Sequence, residues 1–77
     1  MVEFATDGGQ ELNAMRDAVR RAVVALPEHE RWVVILYYFG DLDMYEIGRL
    51  MGLSESRVSQ LCTRAKVRLK RRLVGAA

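Results

Sequence analysis

Apolar residues along this chain recur at steps of three and four, the period of a helix with one buried face. Leu12, Met15, Val19, Ala22, Val23 and Leu26 form one stripe, and Arg16, Asp17, Arg20 and Arg21 fall mostly outside it. The pattern predicts a first helix from about Gln10 to Leu26. Residues 1–10 show no period and include Gly8-Gly9, so they read as a flexible leader to a folded domain over 11–77. Pro27 suits the first turn of a second helix, where its missing N–H would be unpaired anyway. Glu28 and Glu30 follow, near the positive end of that helix. The run Trp32-Val33-Val34-Ile35-Leu36-Tyr37-Tyr38-Phe39 is apolar all round. Trp32, Ile35, Leu36 and Phe39 make one face; Val33, Val34, Tyr37 and Tyr38 make the others. A helix of this kind is either central or offers a second face to a partner. Gly40 is expected to end it.

Two more helices follow. Asp43 and Glu46 have the spacing of a capping box, which predicts a third helix over about Met44 to Met51. Ser54 can cap a fourth, reaching about Leu73. Ile47, Met51, Val58 and Leu61 are apolar where two crossed helices must touch. Gly48 is small where they approach, Gly52 falls at a turn that needs a positive φ, and Leu53 plugs the gap between the helices. Residues 44–64 thus carry the helix-turn-helix pattern, which lays its second helix in the DNA major groove. The fourth helix has an inward stripe of Val58, Leu61, Cys62, Ala65, Leu69 and Leu73. Arg57, Gln60, Arg64, Arg68 and Arg71 lie opposite, and Val67 falls on the polar side with no evident role. The expected fold is all-α: a compact four-helix domain with a helix-turn-helix and a long basic C-terminal helix.

Charge sharpens this picture. Residues 1–53 carry five Lys+Arg and nine Asp+Glu, and residues 54–77 carry seven and one, so the net +2 divides into −4 and +6. A basic end on an acidic body is the footprint of a nucleic-acid binder; for Lys70-Arg71-Arg72 alone, a solvated helix end is an equal reading. On the early fourth helix, Arg57 and Gln60 are types that pair with guanine and adenine edges, while Ser56 and Ser59 reach bases or phosphate. Glu55 can accept from cytosine or simply favour the helix start. Thr63, Arg64, Lys66 and Arg68 are candidates for phosphate, which positions the helix without reading sequence.

Catalysis, metal and cofactor find little support. His29 is the only histidine and stands among glutamates at a helix start. Cys62 is the only cysteine and has no second thiol at metal spacing. Asp41 and Asp43 lack the spacing of a calcium loop, and neither glycine pair has a phosphate-loop context. No run approaches the ~18 apolar residues of a membrane span, and no secretion signal opens the chain. The lone cysteine fits a reducing cytoplasm.

Leu26-Pro27-Glu28-His29-Glu30-Arg31, the apolar run with Tyr37-Tyr38, Glu46-Ile47-Gly48, Gly52 to Gln60, and Arg64-Ala65 with its basic end together resemble region 4 of bacterial sigma factors. The SESRVSQ segment is most similar to the flagellar and sporulation-type alternative sigma factors. The resemblance covers about residues 12–73. It implies a domain whose last helix reads the −35 element of promoter DNA, with Glu55, Ser56, Arg57, Ser59 and Gln60 facing bases and Arg64 and later cations tracking the backbone. It also implies docking of the RNA polymerase β flap tip in an apolar groove, and occlusion of the same domain by anti-sigma proteins. Val33, Val34, Tyr37 and Tyr38 are the residues expected to line that groove. The family's region 2 is not in this sequence, so the chain is expected not to start transcription alone. An excised domain and a stand-alone protein both fit.

Two further readings stay open on sequence. One is a protein-interaction module in which DNA is incidental, supported by the surplus apolar surface of the second helix. The other resembles the effector domain of two-component or quorum-sensing regulators, which dimerise through the last helix. The domain is expected to be a monomer, and equilibrium sedimentation separates it from such a dimer.

Overall fold

The computed structural model describes residues 7–74 in backbone and 12–74 in side chains. Four helices follow one another: α1 (Asp7–Val24), α2 (Glu28–Val34) running on as a π-helical turn (Ile35–Phe39), α3 (Met44–Met51) and α4 (Glu55–Val74). The first helix begins at Asp7, so the last four residues of the expected leader are helical; residues 1–6 of it lie outside the described residues.

The helix ends form as their residues dictate. Asp43 Oδ1 accepts from the Glu46 N–H at 2.8 Å. Glu46 Oε1 accepts from the Asp43 N–H at 2.9 Å. The reciprocal pair satisfies two donors that the helix leaves open, so Asp43→Ala is expected to cost about 1 kcal/mol in urea unfolding. The second helix ends at Gly40, as expected. Gly40 stays right-handed at φ −94°, and Asp41 takes the left-handed conformation at φ 59°. Its short polar side chain tolerates that region better than most. The Leu42 N–H donates to the Leu36 carbonyl at 3.1 Å and closes the wide turn.

Two adjacent valines organise the core. Val33 packs with Ile47, Val58, Leu61 and Cys62, on the side of α3 and the start of α4. Val34 packs with Val23, Leu26 and Ala65, on the side of α1 and the middle of α4. Neighbours on a helix point about 100° apart, so one short helix wedges between both lobes. Val33, Ile47 and Val58 are wholly enclosed, each contributing roughly 1.5–3 kcal/mol of apolar burial. Leu36 and Tyr37 are half-buried against the first lobe.

This burial corrects part of the expected partner groove. Val33 and Val34 are core residues, with no surface to offer. Of the expected four, Tyr38 is exposed and Tyr37 is half-buried. The α1 stripe is also split. Ala22, Val23 and Leu26 are buried, but Leu12 is 53% and Met15 63% exposed. The buried residues belong to the C-terminal part of α1 and the turn after it, where Val23 and Leu26 pack with Val34 of α2 and Ala65 of α4. Tyr45 at the start of α3 is exposed, and its ring lies 5.9 Å from the Arg49 guanidinium carbon.

Candidate nucleic-acid interface

The α3–α4 turn is built from its backbone outward. Gly52 takes φ 72° and its N–H returns to the Gly48 carbonyl. The Leu53 N–H donates to the same carbonyl at 2.8 Å. Gly48 is buried, and a Cβ there would stand 2.5 Å from the Leu53 carbonyl oxygen. Its smallness therefore serves the turn itself, and not the approach of the two helices as expected. Ser54 Oγ accepts from the Arg57 N–H at 3.0 Å and caps α4. The first turns of α4 are thereby held at one angle to α3.

Glu55, Ser56, Ser59 and Gln60 emerge from those turns exposed, and Arg57 is half-buried. Arg57 and Gln60 do not stand independently. Arg57 Nη1 donates to Gln60 Oε1 at 3.3 Å, so reading by either residue involves the other. Thr63 Oγ1 donates to the Ser59 carbonyl at 3.1 Å. Its hydroxyl proton is engaged, and a phosphate offers only acceptors, so Thr63 must give up that bond to hold one.

The expected phosphate residues divide. Arg64 and Lys66 are exposed. The Tyr38 hydroxyl beside Lys66 pushes the ammonium's pKa above its ordinary value, by hydrogen bonding first and by charge second. Tyr38 in turn meets Tyr37 edge-on, with ring centres 4.9 Å apart. Arg68 is also exposed, but it is paired within the fold: its Nε lies 2.9 Å from Oε1 of Glu30 on α2. Glu30 is buried, so its role is more than that of an acid near a helix end.

A second surface was not legible in the sequence. An open groove of about 740 Å³ lies between α1 and the π turn. Leu12, Met15, Val19, Val24, Ile35 and Phe39 line it, and Arg16 and Arg20 stand at its edge. Phe39 is 70% exposed. The available signal was that Leu12 and Met15 prolong the apolar stripe of α1 while Ile35 and Phe39 share a face of the all-round apolar run. Among the described residues, no group of three or more His, Cys, Asp or Glu could hold a metal ion. None of the described helices is long and apolar enough to cross a membrane.

Four helices, a tight glycine turn and a polar, cation-rich row on the last helix define a helix-turn-helix domain of the DNA-binding type. The chain belongs to the sigma-70 region 4 family: the family model described as "Sigma-70, region 4" matches residues 16–69. It is 50% identical over 56 residues to the RNA polymerase sigma factor FliA of Pseudomonas aeruginosa, covering 73% of this chain and 23% of that protein. It is 39% identical over 80 residues to the FliA of Escherichia coli K12, covering 94% of this chain and 34% of that protein. The RNA polymerase sigma-F factor of Kitasatospora aureofaciens is 38% identical over 55 residues, covering 71% of this chain and 18% of that protein. The chain thus spans between 18% and 34% of the length of these relatives. No solved structure matches it. The flagellar-type resemblance holds, and the regulator-effector reading falls.

Proposed function

We propose that this domain recognises the −35 element of promoter DNA as region 4 of an alternative sigma factor. The first turns of α4 enter the major groove, and Glu55, Ser56, Ser59 and Gln60, with Arg57 behind Gln60, meet the base edges. Arg64 and Lys66 grip phosphates on either side. The observation that carries this reading is the exposed polar row at the capped start of α4, held by the Gly48–Leu53 turn. The RNA polymerase β flap tip docks in the apolar groove between α1 and Phe39, and an anti-sigma protein competes for the same groove. Its apolar lining fits the apolar face of a short helix.

Fluorescence anisotropy of the 77-residue chain with a −35-type duplex and a scrambled duplex tests the base contacts. Gln60→Ala is expected to cost roughly 1–3 kcal/mol on the promoter duplex and little on the scrambled one. Equal losses on both duplexes would show that Gln60 reads no base.

A further inference from the structure

Glu30 is the one charged residue buried in the core of the described part of the molecule, at 4% exposure. Its Oε1 is enclosed and accepts no hydrogen bond among the described residues. The nearby cation is Arg68, with Nε 2.9 Å away. The distance is that of an ion pair, but the N–H is not aimed for a hydrogen bond. The Arg68 side chain is 55% exposed. A buried pair of this kind adds little net stability over apolar residues of similar size. In a small, marginally stable domain, stability alone is a poor account of it.

The position of Arg68 suggests another account. It lies one helical turn beyond Arg64 on α4, about 40° round the axis at 100° per residue. A guanidinium there is suited to a backbone phosphate. To that guanidinium, a carboxylate and a phosphate offer similar anionic acceptors. Leaving Glu30 for DNA would strand a charge away from water, and that costs more than one solvent-exposed phosphate contact returns.

We propose that Glu30 is an internal stand-in for a DNA phosphate, holding Arg68 against α2 and withholding it from the duplex. The grip of α4 on the backbone then falls to Arg64, Lys66 and the cations beyond Arg68. Phosphate contacts are blind to sequence. Withholding one lowers binding to every duplex by the same factor and leaves base readout untouched. The domain gains no specificity per site, but it spends less time on non-promoter DNA. This inference rests on the DNA-binding reading above, though not on its base preference.

The test compares the 77-residue chain, Glu30→Gln, and Glu30→Gln combined with Arg68→Ala. Neither variant strands a buried charge, and circular dichroism checks that each is folded. Affinities for the −35-type and scrambled duplexes are measured over a series of salt concentrations. Glu30→Gln is expected to steepen the slope of log affinity against log salt by about 0.9, the contribution of one further phosphate contact. It should tighten both duplexes by the same factor, and the double variant should return to the parent slope. An unchanged slope for Glu30→Gln overturns the proposal. So does a double variant with a slope shallower than the parent, because Arg68 would already be on a phosphate. Slopes need only non-specific binding, so a chain that shows these slopes without preferring the promoter duplex sinks the −35 reading and keeps this one. A chain that binds neither duplex sinks both.

Discussion

Gly48→Ala is expected to destabilise the domain by about 1–2 kcal/mol, although alanine is the better helix former. Helix propensity alone favours the change by about 1 kcal/mol. Against it stands the new Cβ, 2.5 Å from the Leu53 carbonyl oxygen. That atom is backbone, so no side-chain rotation relieves the overlap. Forcing a methyl group into close packing costs roughly 1–3 kcal/mol, and the geometry here belongs at the upper end. For a domain of this size each kcal/mol moves Tm by about 4–8 °C. Relief comes most easily by opening the turn, which carries the Leu53-to-Gly48 hydrogen bond at 2.8 Å. The same turn aims α4, so preference for a −35-type duplex should fall with stability. Thermal unfolding followed by circular dichroism measures the first effect and anisotropy the second. A variant with a raised Tm would mean that the turn yields freely, and that Gly48 is not needed for its shape.

The second large effect separates core from surface within one apolar run. Val33→Asp is expected to unfold the domain. Val33 is wholly buried between Ile47, Val58 and Leu61, and an unpaired carboxylate there costs several kcal/mol. That is most of what a small domain has. Phe39→Asp is expected to change stability by about 0.5 kcal/mol or less, because the side chain is largely in water. It places a charge in the apolar groove, so binding of a flap-tip peptide should be lost while DNA binding persists. Urea unfolding of both variants, with a pull-down on the folded one, is the measurement. If Phe39→Asp kept full peptide binding, the groove between α1 and the π turn would not be the docking site.

These contrasts turn on how α4 is shared. Its buried side meets all three other helices through Val58, Leu61, Cys62 and Ala65. Its exposed side carries the proposed DNA contacts. Arg68 belongs to both sides, because it is tied to Glu30 within the fold yet lies more than half in solvent. A cation counted from sequence as a phosphate ligand is therefore neutralised within the domain. Charge totals overstate the positive field at this end of the helix by that one group.

Local chemistry determined much of the molecule directly. The Asp43–Glu46 capping box, the Ser54 cap, the positive φ at Gly52 and the buried stripe Val58–Leu61–Cys62–Ala65 each depend on residues within a few positions of one another. Spacing along the chain suffices to read such features, and together they outline four helices, a helix-turn-helix and its exposed polar row. Tertiary structure alone decided the rest. A run that is apolar all round has no period to say which side is buried, so the choice of Val33 and Val34 over Trp32 and Phe39 came from where α1, α3 and α4 stand around it. The open groove lies between α1 and the π turn, a juxtaposition of two elements that no single segment expresses. The pairing of Glu30 with Arg68 joins residues 38 positions apart, and only the packing of α2 on α4 brings them within 2.9 Å of each other.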